Sequence, residues 1–127
     1  MEAITMLNMT DAMVFAMETP GALAVAFVES KTGRAIAGIG NEVVDFDSIT
    51  PGWTNILQTQ VALLNLENDP TPLQDVIVST NSRYHVLRPL NGSDTTGMYL
   101  YLALDNAVGS IPLASYRLRE IENNLCI

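Results

Sequence analysis

Seven consecutive residues, Ala22-Leu23-Ala24-Val25-Ala26-Phe27-Val28, carry no polar side chain. Side chains of an extended chain point alternately to opposite faces, so Leu23, Val25 and Phe27 are expected on one face and Ala22, Ala24, Ala26 and Val28 on the other. A strand apolar on both faces belongs inside a sheet that is covered on both sides. Met98 to Asp105 repeats the pattern, with Met98, Leu100, Leu102 and Leu104 alternating with Tyr99, Tyr101 and Ala103. These two segments therefore demand a layered fold with helices on each side of a sheet.

The rest of the chain supplies the cover. Residues 2–17 read as a helix, with Ile4, Leu7, Val14 and a run of methionines near helical spacing, stopped by Pro20-Gly21. Lys31-Thr32-Gly33 suits a hairpin loop ending in a left-handed residue, and Arg34 to Ile39 is the returning strand. Residues 41–50 read as irregular. Thr50 is a candidate N-cap and Pro51 a candidate first residue of a helix running to about residue 65. Asp75 to Thr80 and Arg83 to Leu90 form a second hairpin, Asn91 to Gly97 a polar loop. Ser110 caps a last helix with Ala114, Leu118, Ile121 and Leu125 buried and Arg117, Arg119, Glu120 and Glu122 solvated. The order is α-β-β-α-β-β-β-α: an α/β (α+β) fold with one five-stranded, mostly antiparallel sheet and helices on both faces.

A chain of 127 residues with 48% hydrophobic and 16% charged residues reads as one domain, 1–127, able to build a core without disulfides or metal. The low share of charge implies that part of the surface is covered by protein. A net charge of −8 disfavours nucleic acid and anionic membrane surfaces as partners. Cys126 is the single cysteine, so neither an internal disulfide nor a Cys-based zinc site is expected. Glu2 and Asp11, with no basic run, make the start unlike a signal peptide or membrane span. These features point to a cytoplasmic protein.

The middle helix is the most informative segment for function. Trp53, Ile56, Leu57, Val61, Leu63 and Leu64 share one arc, with Gln60 among them. Thr54, Asn55, Gln58, Thr59, Ala62, Asn65 and Leu66 share the other. No charge occurs from Pro51 to Leu66, whereas a solvated helix face normally carries Lys or Glu. A face of small and amide side chains suits a protein interface, against the plainer reading of a merely polar outer face. Val76, Ile77 and Val78 lack the Lys, Pro or inward charge that blunts an exposed sheet edge. The candidate interface is thus Trp53, Thr54, Asn55, Gln58, Thr59, Ala62 and Asn65 with Val76, Ile77 and Val78.

Motifs for chemistry are sparse. There is no phosphate-binding G-x-x-x-x-G-K-[ST] loop, and Gly33, Gly38 and Gly40 do not fit G-x-G-x-x-G. The single histidine, His85, reads as a hydrogen-bonded structural residue. Asp45 and Asp47 have no companion acids at calcium-loop spacing. No catalytic residue, cofactor site or metal site is expected. Two other readings stay open: a PAS-like small-molecule sensor using Gln60, His85, Tyr99 and Tyr101, and a hydrolase built on His85 and Asp105.

Taken together, the segments resemble the roadblock/LC7 family. The resemblance rests on Pro20-Gly21 leading into Ala22 to Val28, the Thr32-Gly33 turn, Ala35-Ile36-Ala37-Gly38, and Asp75-Val76-Ile77-Val78-Ser79-Thr80. It continues through Tyr84-His85-Val86-Leu87-Arg88-Pro89-Leu90, Met98 to Asp105 and the closing helix. It implies a profilin-like fold and a non-catalytic scaffold that dimerises with itself. It also implies a role with small Ras-like GTPases, or one of the dynein light chain type. In that family the strand corresponding to Val76–Thr80 lies at the sheet edge and pairs with its twofold mate beside the middle helices. The polar insert Asn91 to Gly97 and the nearly uncharged middle helix depart from the family pattern.

Overall fold

A computed structural model describes residues 6–69, 72–92 and 95–126. Its elements are α1 (Met9–Met17), β1 (Ala22–Glu29), β2 (Ala35–Gly40), α2 (Phe46–Leu66), β3 (Val76–Ser79), β4 (Arg83–Pro89), β5 (Met98–Asp105) and α3 (Ile111–Asn124). The strands form one antiparallel sheet in the order β2-β1-β5-β4-β3. The two wholly apolar segments, β1 and β5, are neighbours inside the sheet, and β2 and β3 are its edges.

Each sheet face has its own core. On one face Val25, Phe27, Val86, Leu100, Leu102 and Leu104 pack under Ala12, Met13 and Ala16 of α1 and Ala114, Leu118 and Ile121 of α3. On the other, Ala24, Ala26, Val28, Leu87, Tyr99, Tyr101 and Ala103 pack under Leu57 of α2. The expected alternation holds except at the start of β1. There the register against β5 shifts between Ala22 and Ala24. The bulge adds one residue, so Ala22 joins the α1/α3 core and Leu23 the α2 core.

Two helices start elsewhere than their sequence signals suggest. The α1 helix begins at Met9 because Asn8 Oδ1 accepts the Asp11 N–H at 2.8 Å. Leu7 lies outside it, bonded through its backbone to Asn124 and Cys126 at the end of α3. The expectation for residues 2–5 lies outside the described residues. The α2 helix begins at Phe46, so Pro51 sits within it. Thr50 does not cap it; its hydroxyl is buried and donates to Gly33 O at 2.7 Å. Phe46 extends the helix because its ring lies on Gly38, where a Cβ would stand 2.5 Å from Cε2. Gly33 has φ +74°, the left-handed conformation expected of the β1–β2 loop.

A buried cation ties the α3 side to the sheet edge. Arg88 of β4 pairs with Asp75, just before β3, and with Glu122 of α3, each at 3.1 Å. Glu122 also accepts the Asn91 N–H at 3.0 Å. It is therefore part of a clamp rather than of a solvated face. Arg117 is likewise engaged, 4.8 Å from the centre of the Phe15 ring.

Leu102 is fully buried at the centre of the sheet. Leu102→Ala should cost about 2–5 kcal/mol through lost transfer energy and the cavity left behind. Chemical denaturation measures this, and a loss below about 1 kcal/mol would contradict the packing described.

Candidate partner interface

The core-facing side of α2 is Phe46, Ile49, Thr50, Trp53, Thr54 and Leu57. Beyond Leu57 no α2 residue is fully buried. Ile56, Val61, Leu63 and Leu66 are 37%, 42%, 46% and 80% exposed. Sequence spacing places Ile56, Val61 and Leu63 in the buried arc. They are exposed because the helix starts earlier and makes its core contacts through its first three turns. Gln60, expected to be buried with them, is half-buried. The result is a helix surface with neither charge nor cover.

Polar contacts fix α2 where apolar packing is thin. Thr54 is 4% exposed, donates to Thr50 O at 2.8 Å and lies 2.7 Å from the Tyr99 hydroxyl. Its assignment to an interface is therefore corrected: its surface is spent inside the fold. Gln58 is exposed, but its Nε2 donates to Ser30 O at 2.7 Å. With Val61, Ala62 and Asn65 it lines an apolar groove of about 350 Å³ that also includes Ser30 and Pro89. Asn55 and Thr59 are exposed, with the Thr59 hydroxyl on Asn55 O at 2.8 Å.

The other flank of α2 faces β4. The Trp53 ring stacks on His85 with centroids 4.6 Å apart and on Tyr101 at 5.5 Å. Ile56, Gln60 and Leu63 follow Trp53 at helical spacing along this flank. His85 pairs across the sheet with Val78 of β3. Val76 and Val78 are half-buried, and Ile77 is 43% exposed. An exposed apolar helix flank thus runs beside an open strand edge. Thr80 N–H donates to Arg83 O at 2.9 Å. By antiparallel alternation, the Val78 and Val76 backbone groups then turn toward β4, while those of Ile77 and Ser79 turn outward.

Most of the polar groups considered for a sensor or hydrolase already have partners within the fold. The Tyr99 hydroxyl contacts Thr54 and Thr50 O, and His85 Nδ1 lies 2.9 Å from the Tyr101 hydroxyl. Asp105 accepts the Ala107 N–H at 2.9 Å. Among the described residues no hydrogen bond joins it to His85. A surface groove of about 540 Å³, lined in part by Leu23, Val44, Arg83 and Tyr101, opens beside the stack. Burial pushes the Tyr101 hydroxyl up to about 12. Burial first, and then the Arg83 charge, holds His85 below its usual value. Asp45 accepts the Ser48 hydroxyl, and among the described residues no three His, Cys, Asp or Glu side chains form a metal-ligating group.

The layout matches solved structures. A roadblock/LC7 domain from Streptomyces avermitilis is 12% identical, with 88% of this chain and 89% of that one covered and a TM-score of 0.75. The fold is that of a roadblock/LC7 domain. Myxococcus xanthus MglB shares it at 16% identity, with coverage of 91% and 92% and a TM-score of 0.76. The gliding protein MglB from Thermus thermophilus shares it at 10% identity, with coverage of 98% and 94% and a TM-score of 0.75. The sequence matches no family model and no curated protein. The roadblock fold is thus present here with a sequence only 10–16% identical to these structures. No helix among the described residues is long and apolar enough to cross a membrane.

The stack makes a pH prediction for this roadblock fold. The folded state lowers the His85 pKa, so the unfolded chain binds the proton more readily. The stability from a neutral His85 is complete above about pH 6.5 and is lost as pH falls below that value. Melting temperatures from pH 7.5 to 5.5 should therefore fall more steeply for the native protein than for His85→Phe. Parallel curves would show that the stack does not depend on a neutral imidazole.

Proposed function

We propose that the chain is a non-catalytic roadblock scaffold or regulator that works as a homodimer and binds protein partners, with a small Ras-like GTPase as the partner class. The observation that carries the reading is the uncharged, uncovered outer surface of α2 beside the open edge of β3. Left in water, Ile56, Leu63, Leu66 and Ile77 form the kind of exposure that marks interaction sites. A second copy related by a twofold axis covers both features at once, with β3 against its mate and the α2 helices side by side. Trp53, Asn55, Thr59, Val76, Ile77 and Val78 then lie in or beside the contact. Gln58, Ala62 and Asn65 line its outer groove. The shared fold with the MglB proteins and the roadblock/LC7 resemblance support the regulatory role. The chain is expected to supply surface and to leave any nucleotide chemistry to its partner.

Such an interface should bury more than about 1,000 Å² in total. Ile77→Lys and Leu63→Glu each place a charge twice near the twofold axis, where an unpaired charge is costly to bury. Both side chains are exposed in the subunit, so each variant should fold. Sedimentation equilibrium at micromolar concentration should give a dimer mass for the native chain and a lower mass for either variant. A native monomer, or a dimer insensitive to both substitutions, would remove this reading.

A further inference from the structure

The sheet has a second open edge. The β2 strand lies at the end of the sheet opposite β3 and pairs with β1 alone. Its six residues, Ala35-Ile36-Ala37-Gly38-Ile39-Gly40, contain no charge and no proline. The hydrogen-bond phase shows which backbone groups are turned outward. Asn41 N–H donates to Leu23 O at 2.9 Å, and Ile39 and Ala37 stand opposite Val25 and Phe27 in the same register. Antiparallel ladders alternate, so the N–H and C=O groups of Gly38 and Gly40 point away from β1. Ile36 is 47% exposed, and a shallow groove of about 230 Å³ lined by Glu29, Arg34, Ala35 and Ile36 opens at the hairpin end.

The charges around this strand are ordered. Lys31 and Arg34 lie at its hairpin end, where Glu29 also sits, holding the Thr32 hydroxyl at 2.6 Å. Glu42, Asp45 and Asp47 follow its other end. All six are exposed, and none makes a salt bridge among the described residues. The chain has only 6 basic residues against 14 acidic ones, so two at one end of an uncharged strand make an uncommon local pattern. Read in reverse, the order acidic, uncharged, basic complements the order basic, uncharged, acidic.

We infer that the β2 edge is a second self-association surface, where β2 of another copy pairs antiparallel about a twofold axis near Gly38. In that arrangement the Lys31/Arg34 end of each copy meets the Glu42/Asp45/Asp47 end of the other. Parallel pairing would set acid against acid, which opposes it. The register shift of β2 against β1 near Ala35 limits the regular ladder to Ala37–Gly40. Few backbone bonds are therefore available, and the association is weak. The surface is distinct from the α2–β3 surface and does not depend on it. Used together, the two would join copies through alternating twofold axes.

The test uses the full chain carrying Leu63→Glu and Ile77→Lys, and its mass at low concentration is the baseline. Sedimentation equilibrium at rising concentration, to about 1 mM, should show association above that baseline. Lys31→Glu/Arg34→Glu, with both ends acidic, should associate about tenfold more weakly, because like charges then face each other twice. Glu42→Lys/Asp47→Lys, with both ends basic, should behave likewise. An equimolar mixture of the two should regain the parent's association, because each end then meets its opposite. Rescue by mixing also shows that both variants are folded. No mass above baseline, association equal to the parent's in both variants, or a mixture no heavier than its components would each overturn the inference.

Discussion

The burial of β1 and β5 on both faces is the constraint on which the rest of the structure depends. Val25, Phe27, Leu100, Leu102 and Leu104 on one side and Ala26, Val28, Tyr99 and Tyr101 on the other are all nearly inaccessible. Such strands need neighbours on each side and helices above and below. The α1 and α3 helices share one face; α2 covers the other alone. One helix on five twisted strands cannot cover the whole width, and α2 makes its core contacts through Phe46, Thr50, Trp53 and Leu57, reaching no farther than His85 and Leu87 of β4. Its remaining turns, and the β3 edge beyond them, are left without cover.

Hydrogen bonds hold this partly packed helix in one place. Thr50 reaches the β1–β2 loop, Thr54 reaches Tyr99, and Gln58 reaches Ser30 O. A buried hydrogen bond contributes little net energy, about 1 kcal/mol, but leaving a buried partner unpaired costs more. The contacts therefore fix the position of α2 more than they stabilise it. The Arg88 clamp acts similarly at β3, fixing the start of an edge strand that has only one neighbour. A preformed helix flank and a preformed strand edge lose little freedom when a partner arrives, which favours binding. The elements that are least covered are thus also the ones held in place, as the proposed scaffold role requires.

Much of this is legible in the sequence wherever the determining contacts are local. The limits of β5, the Ser110 cap of α3 and the left-handed Gly33 follow from alternation, capping and loop chemistry. Alternation alone misplaces Leu23, because a bulge depends on the partner strand. The α2 start is misread because Thr50-Pro51 looks like a helix entry, while the contact that lengthens the helix is between Phe46 and Gly38, apart in sequence. That error carries into the site: it turns Thr54 outward and buries Ile56, Val61 and Leu63. The Phe46, Ile49, Trp53, Leu57 spacing is the signal that finds the true inner face. The Arg88–Asp75–Glu122 clamp joins three separate elements, and no local pattern announces it.

In the proposed dimer a second copy covers the β3 edge and the outer face of α2. The outward amides of Ile77 and Ser79 report on it directly, because at an open edge they bond to water and exchange, and a partner strand would protect them. Residue-resolved amide hydrogen exchange should show both protected at concentrations where the chain is dimeric. Dilution, or Leu63→Glu, should return them to free exchange, while the inward amide of Val78 stays protected throughout. Rapid exchange at Ile77 and Ser79 at every concentration would contradict the account.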